Sequence, residues 1–343
     1  MSACHSKAHF LALATLLFLC GYRAYSQSTD FDRAVAEFRA GHYSSAAEMF
    51  ARVEAASPGT TDALLYGAKA LVHLEDFAGA EAALRSYLPL HRDSSDALYM
   101  LGFVLNRENR PSASLAAYTQ AAAITRPASD DLKIVGLDYV LLDDYADAIK
   151  WLEKAVEFDT KNVDAWYYLG RAYYARFRLG EARQAFQKIL VLDPANARAE
   201  NNLGLILETE GKPVEAIAAY RQSILWQEQT SQISEQPYVN LGNILAEQNR
   251  PQEAITPLER AVALAPKNAY CHMTLGVLYR KIGEVEKAKR ELVRATELEP
   301  DNAIAHYQLG RLYKDLNDLD SAKREFDRTA ELQSRAAGTH SPR

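Results

Sequence analysis

Small residues recur along this chain at a fixed interval. Gly or Ala stands at nine places, and seven of the eight intervals between neighbours are 34 residues long. A period of this length indicates like units that cannot bury an apolar face alone and do so by stacking on their neighbours. The nine residues are Ala34, Ala68, Gly102, Gly136, Gly170, Gly204, Gly242, Gly276 and Gly310, and the one longer step, from Gly204 to Gly242, is 38 residues.

The unit over 163–196 shows why small residues are needed. Trp166, Leu169 and Tyr173 recur at helical spacing and share one face, and Phe186 belongs to a second helix that Pro194 ends. Gly170 and the alanine twelve residues later predict the places where two antiparallel helices cross most closely, because a larger side chain would separate their backbones. The helical period throughout leaves no room for a sheet.

This arrangement resembles the tetratricopeptide repeat (TPR). The chain matches its pattern, W-x2-L-G-x2-Y, then A-x3-F, then P over 34 residues, with Trp166, Leu169, Gly170, Tyr173, Ala182, Phe186 and Pro194. The resemblance implies an all-α solenoid, a right-handed superhelix of antiparallel helix pairs. With Val163 as position 1, nine repeats are predicted at 27–60, 61–94, 95–128, 129–162, 163–196, 197–234, 235–268, 269–302 and 303–336.

The two ends and one junction depart from the pattern. Asp30 and Arg33 stand where Trp and Leu are expected, which predicts a polar N-terminal cap, and 337–343 is predicted to be a disordered tail. Repeat six carries four extra residues and lacks the Asp-Pro stop; the segment near 227–238 is interpreted either as a longer helix or as a longer loop.

Residues 1–26 are predicted to be a secretory signal. Phe10 to Cys20 is an apolar run too short to span a bilayer, and Ala24 and Ser26 offer small residues before a cleavage site between Ser26 and Gln27. The protein is therefore expected to be exported, to a periplasm or outside the cell. An uncleaved signal anchor and a lipid on Cys20 remain as alternatives.

Charge and motifs narrow the class of function. A net charge of −6 argues against binding nucleic acid through phosphate neutralisation. His272 and His306 occupy position 4 of neighbouring repeats, but a metal site needs three or more ligands, so core histidines are predicted. No catalytic motif is present, and we expect no enzyme activity, cofactor, metal or small-molecule substrate.

The resemblance also implies a binding surface. In TPR proteins positions 2, 5, 6, 9, 12 and 13 of each first helix line the concave groove, and here many of these positions are Tyr, Asn or Arg, which are suited to contacts with a peptide. We therefore predict a protein or peptide partner. The predicted groove residues are Tyr99, Phe103, Tyr167, Tyr168, Arg171, Tyr174, Arg198, Asn201, Asn202, Asn240, Asn243, Tyr270, Tyr307 and Arg311.

Two alternatives stay open at this point. The chain could instead be a structural subunit of an envelope, pilus or secretion complex, bound through its convex face or its ends. The Asp residues at position 2 of four consecutive repeats, beginning with Asp62, indicate either an acidic ladder for a basic ligand or carboxylates that stabilise helix starts.

Overall fold

The structure, a computed structural model, describes residues 30–59 and 62–339, with the backbone alone for 336–339. All regular structure in these ranges is α-helical, as the sequence predicts. The predicted signal segment 1–26 lies outside the described residues. The described residues divide into two compact units between Ala172 and Tyr173, a point that lies within the helix Val163–Ala175.

The first unit is a series of helices joined by short turns. From the second to the eighth helix each one packs against the next along the chain, and α5 also contacts α7. The helices are α1 (30–39), α2 (Tyr43–Ala56), α3 (Ala63–His73), α4 (Phe77–Tyr87), α5 (Ser95–Arg107), α6 (Pro111–Ala122), α7 (Ser129–Leu141), α8 (Tyr145–Phe158) and α9 (Val163–Ala175).

The second unit repeats this plan. Consecutive helices pack here too, and α13 also contacts both α11 and α15. The helices are α10 (Leu179–Leu192), α11 (Ala197–Thr209), α12 (Pro213–Gln227), α13 (Gln236–Glu247), α14 (Pro251–Leu264), α15 (Ala269–Lys281), α16 (Val285–Leu298), α17 (Ala303–Asp315) and α18 (Leu319–Thr339).

The extra residues of repeat six form a loop. Helix α12 ends at Gln227 and α13 begins at Gln236, so the choice left open by the sequence is resolved in favour of the loop. The side-chain amide of Gln227 joins the start of this loop to its end: Nε2 donates to the Ser234 carbonyl at 3.0 Å, and Oε1 accepts from the Ser234 backbone amide at 3.1 Å. Tyr238 adds a hydrogen bond to Glu228 at 2.7 Å.

Helix starts are set by asparagine and serine more than by the aspartates at position 2. Asn196, Asn268 and Asn302 each accept a hydrogen bond from the first turn of the following helix, and Ser94 does the same for α5. Asp62 instead accepts a hydrogen bond from Tyr87 at 2.8 Å. The helix-start interpretation of these aspartates is therefore incomplete.

The first helix of each pair ends on a left-handed residue. The amides of this residue and of the next one donate to carbonyls of the last helical turn; for example, the Asn109 amide donates to the Asn106 carbonyl and the Arg110 amide to the Leu105 carbonyl, both at 2.9 Å. The left-handed residues recur with the period of the repeats, and they are Gly41, Glu75, Asn109, Asp143, Phe177, Gly211, Asn249, Gly283 and Asn317.

The glycines of the 34-residue series make room for one large side chain. A Cβ built on Gly242 would lie 2.4 Å from Leu258 Cγ, and one on Gly204 would lie 2.5 Å from the Tyr220 ring. The close approach predicted at these glycines is present, but the nearest neighbour is the residue sixteen further on rather than the small residue twelve further on. The latter residue is buried beside it, as at Ala254.

The first and last described helices differ from the polar cap and the disordered tail that the sequence predicts. Helix α1 packs Phe31 and Phe38 against Phe50 and Tyr66, so this end has an aromatic core beneath the polar Asp30 and Arg33. Helix α18 continues to Thr339 and includes the first residues of the segment predicted as a tail, whereas 340–343 lie outside the described residues. Between 30 and 339, no described helix has the length and apolar character needed to cross a bilayer.

Candidate peptide-binding face

The first helices of successive pairs lie side by side. In the second unit α11 contacts α13, α13 contacts α15, and α15 contacts α17. We call the surface that their predicted groove positions form the A face. Among the predicted residues on it, Arg198, Tyr270, Tyr307 and Arg311 are exposed, and Asn202 and Asn243 are half-buried.

Two residues that were predicted to line the groove are instead buried between helices. Asn201 and Asn240 are buried, and the Asn240 amide donates to Asn201 Oδ1 at 2.9 Å. Gln236 adds a hydrogen bond to Asn240 at 3.0 Å. Because α11 and α13 approach closely here, these amides hold one helix to the next and do not present a free hydrogen-bonding edge to a ligand.

Two tyrosines provide the exposed aromatic surface of the A face. Tyr270 is 47% exposed and its hydroxyl accepts a hydrogen bond from Asn243 at 3.2 Å. Tyr307 is 44% exposed, and the Arg311 guanidinium lies 6.0 Å from the centre of its ring. Each ring is thus held by a polar neighbour before any ligand arrives, which lowers the entropy that binding would cost.

Charge is unevenly placed on this face. Arg280 is paired with Asp315 at 2.8 Å, and Lys281 donates to the Ala246 carbonyl at 2.6 Å. Within the described residues, Arg311 and Lys314 on α17 form no ion pair. At the other end of the face, burial raises the pKa of Glu208, and nearby Glu247 raises it further. Arg198 at that end is outnumbered by Glu208 and Glu247, so the net positive charge of the A face lies toward α17.

The remaining predicted residues lie on α5 and α9. Tyr99 is half-buried and its hydroxyl donates to the Thr125 carbonyl, and Phe103 is half-buried 6.4 Å from the Phe77 ring. Tyr167 and Tyr168 meet edge to face at 5.4 Å, with Arg171 5.9 Å from the Tyr167 ring. In the second unit Tyr174 shares a hydrogen bond with Thr209 at 2.9 Å.

Comparison with known families agrees with this geometry. Models described as tetratricopeptide repeat or TPR repeat match residues 37–102, 136–176, 163–196, 195–267, 276–317 and 303–334. These stretches cover most of the chain. The chain is a tetratricopeptide-repeat protein.

Two of the proteins that the chain resembles in sequence are a complex subunit and a pilus assembly protein. The chain is 21% identical over 240 residues to anaphase-promoting complex subunit 3 of Schizosaccharomyces pombe, covering 70% of this chain and 36% of that protein. It is 28% identical over 128 residues to the type IV pilus assembly protein PilF of Pseudomonas aeruginosa, covering 37% and 49%. The chain thus spans less than half of the length of each of these relatives.

Solved structures show the same TPR fold. A tetratricopeptide repeat protein from Parabacteroides merdae matches with a TM-score of 0.60 at 17% identity, over 73% of this chain and 96% of that one. The APC/C hetero-tetramer Cut9-Hcn1 matches with a TM-score of 0.58 at 16% identity, over 85% and 57%. At these identities the likeness establishes the fold alone.

The histidines of the last two TPR hairpins are hydrogen-bonded at both ring nitrogens, and His272 is buried. His272 Nδ1 lies 2.8 Å from Glu291 Oε2, and its Nε2 lies 3.0 Å from the Pro266 carbonyl. His306 repeats this arrangement with Glu325 at 2.6 Å and Pro300 at 3.0 Å. Among the described residues no group of three or more His, Cys, Asp or Glu could hold a metal ion.

The buried thiol and one buried carboxyl have raised pKa values. Burial, with a smaller effect of Glu235, raises the pKa of Cys271 to about 11, so the reactive thiolate is disfavoured. Burial raises the pKa of Asp138 to about 6, although hydrogen bonds from Asn106 and Ser114 lower it. Sequence reasoning missed Asp138. The only signal was Ser114, because the residue twelve after each of the nine repeated Gly or Ala is alanine everywhere else.

Proposed function

We propose that the protein is an exported TPR scaffold that binds a peptide segment of a protein partner along the A face. The observation that carries this is the pair of exposed, braced rings Tyr270 and Tyr307 on neighbouring helices. Aromatic side chains give rigid contact area at low entropic cost, and exposed rings in a row are typical of interaction surfaces.

The charge on this face favours one direction for the peptide. Arg311 and Lys314 would attract an acidic segment toward α17, while Glu208 and Glu247 would repel it from the opposite end. Because Arg311, Lys314 and Glu247 are exposed, binding should weaken modestly as salt rises.

Binding rather than catalysis is the proposed activity. The groups with strongly raised pKa values, such as Asp138, Cys271 and Tyr220, are buried in helix packing and do not converge on one pocket. Solenoid surfaces of this kind supply contact area more readily than an enclosed site.

The test is partner capture followed by measured binding. Partners captured by the protein from its native host are identified by mass spectrometry, and the affinity of each is then measured for Tyr270→Ala/Tyr307→Ala. We expect at least about a tenfold loss for a groove ligand. Leu225→Ala is the matched control, because Leu225 is 53% exposed on α12, away from the A face. Equal binding by the double variant excludes the A face.

Export is a separate part of the proposal. It rests on the apolar run Phe10 to Cys20 followed by Ala24 and Ser26. Intact-mass measurement on protein from the native host should give a chain that begins at Gln27. A chain that retains residues 1–26, or one with a lipid on Cys20, would instead support the anchored alternatives.

A structural role in an envelope, pilus or secretion complex is the second candidate. The likeness to a type IV pilus assembly protein favours it. In that case the partner would bind through the second helices or the ends of the array, and capture would be unchanged in Tyr270→Ala/Tyr307→Ala.

A further inference from the structure

One of the nine left-handed turn residues is of a type that rarely adopts this backbone conformation. Eight of them are Gly, Asn, Asp or Glu, but the ninth is Phe177, with φ of 55°. A bulky residue is disfavoured there because its Cβ crowds the backbone. The turn is otherwise regular, since the Phe177 amide bonds to Tyr174 and the Arg178 amide to Tyr173, both at 2.9 Å.

Phe177 gains no compensating burial. Its side chain is 80% exposed, the largest value among the exposed large hydrophobic residues of the described chain. Arg176 and Arg178 flank it; Arg178 pairs with Glu181 at 2.9 Å, whereas Arg176 makes no ion pair with any described carboxylate. A strained, solvent-exposed aromatic side chain beside an unpaired guanidinium is suited to contact another protein molecule.

A complementary cavity lies in the first unit. Its volume is about 100 Å³, and it is set among α5, α6, α7 and α8, with exposed Thr119 and Ala122 at its edge. An apolar cavity of roughly 150 Å³ can hold a whole benzene ring, so this smaller one, which is open at the side, suits a phenyl ring that enters it in part. Its lining is mainly apolar and aromatic, and includes Leu115, Tyr118, Leu132, Val135, Tyr139 and Trp151.

The electrostatics near this cavity suit an arginine. Asp131 is close enough to raise the pKa of both Tyr99 and Tyr118, which line the cavity. Its carboxylate accepts the Ala128 amide at 2.8 Å and forms no salt bridge with a described cation. Nearby Asp130 is already neutralised by Lys133 at 2.7 Å. Lys154, 4.2 Å from the Trp151 ring centre, opposes this attraction in part.

We propose that the Phe177 turn of one copy inserts into this cavity of a second copy, with Arg176 directed to Asp131. The contact uses two different surfaces of the chain, both outside the A face of the second unit, so it is heterologous. Each associated pair therefore keeps one free Phe177 turn, which we call the knob, and one free cavity. The chain then associates head to tail. One aromatic turn buries less than a standard interface, so we expect a dissociation constant of about 10–100 µM.

Sedimentation of the purified protein from about 1 µM to about 1 mM tests this directly. The wild type should form species larger than a dimer, or a closed ring, as concentration rises. Phe177→Asn removes the knob and should stay monomeric, with a melting temperature equal to or above the wild type because Asn tolerates the left-handed region. Ala122→Arg blocks the cavity at the exposed end of α6 and should also stay monomeric.

Mixing the two variants provides the decisive measurement. Phe177→Asn retains a cavity and Ala122→Arg retains a knob, so an equimolar mixture should form a dimer and nothing larger. Gly283→Asn, at the matching left-handed turn position, is the control and should associate like the wild type. A wild type that stays monomeric at about 1 mM, association undiminished in Phe177→Asn, or a mixture that stays monomeric would each overturn the proposal.

Discussion

Two junctions of the molecule place the same three positions of neighbouring helices together but fill them differently. At the first, Asn106 on α5, Ser114 on α6 and Asp138 on α7 form a buried hydrogen-bonded group. At the second, Ala246 on α13, Ala254 on α14 and Leu278 on α15 belong to one apolar cluster. We call them the polar and the apolar junction. Both keep a glycine in the 34-residue series, Gly136 and Gly276.

The hydrogen bonds of the polar junction depend on whether the Asp138 carboxyl is protonated. Ser114 Oγ lies 2.8 Å from the Gly102 carbonyl and 2.6 Å from Asp138 Oδ2, while Asn106 donates to Asp138 Oδ1 at 2.8 Å. A hydroxyl has one proton, so both of the Ser114 bonds are made only when Asp138 is protonated and donates to Ser114. The comparison shows that one backbone arrangement accepts polar or apolar filling, but only the polar filling depends on pH.

The largest expected effect comes from making the apolar junction acidic. Leu278→Asp would bury a carboxyl with no side-chain donor among its alanine neighbours, and we expect a loss of about 4 kcal/mol or more in the free energy of unfolding. Urea denaturation followed by circular dichroism measures it. Ile304→Asp, at a site 61% exposed on α17, is the control and should change stability by less than about 0.5 kcal/mol. Equal losses would mean that Leu278 is not in the core.

The two glycines should respond alike in spite of the different junctions. A Cβ on Gly136 would lie 2.6 Å from Leu152 Cγ, and one on Gly276 would lie 2.7 Å from Leu292 Cγ. We expect Gly136→Ala and Gly276→Ala each to lose about 2 kcal/mol through overpacking. Gly180→Ala has no atom within 4 Å of the new Cβ and should be neutral or slightly stabilising. Thermal unfolding of the three variants would reveal any difference between the junctions.

Sequence reasoning could predict what depends on steric exclusion within one repeat. The need for a small residue at Gly242 follows from the 34-residue pattern alone, although the side chain that it makes room for is Leu258 and not the alanine that the pattern indicated. The same reasoning identified the braced tyrosines, since Tyr270 and Tyr307 occupy outward positions of their helices.

What it could not predict depends on how closely neighbouring repeats approach. Asn201 and Asn240 occupy groove positions, yet the packing of α11 on α13 buries them against each other. Asp138 lies 24 residues from Ser114, on another helix, and only the packed structure shows that they meet. Phe177 looks ordinary in the sequence, because the left-handed backbone it occupies is not written there.

Removing the charge from the polar junction should stabilise it at neutral and higher pH. The pKa of Asp138 is raised from 3.8 to about 6, so the stability held by its protonated form is complete below about pH 4 and is lost as pH rises through 6. Asp138→Asn can donate to Ser114 and accept from Asn106 at every pH. We expect a gain of about 1–2 kcal/mol over the wild type at pH 8 and almost none at pH 4.5. Urea unfolding at both values measures this, and a gain independent of pH would contradict it.

The smallest expected effect is that of Ser114→Ala, which moves the polar junction one residue toward the apolar one. It removes a hydrogen bond that lowers the pKa of Asp138, so that pKa should rise further. We expect a loss of about 1 kcal/mol, larger at pH 8 than at pH 4.5, because a hydrogen bond to an ionised group is stronger than one to a neutral group. Urea denaturation at the two pH values measures both losses.

Ser223→Ala separates the carboxyl effect from the loss of a buried hydroxyl. Ser223 is also buried, and its Oγ donates to the Ala197 carbonyl at 2.7 Å, with no carboxylate in that bond. Its substitution should therefore cost about the same at both pH values. If the two serine variants showed the same pH dependence, Asp138 would not be the titrating group that distinguishes the polar junction. If only Ser114→Ala varied with pH, the two junctions would differ in stability because of a single buried proton.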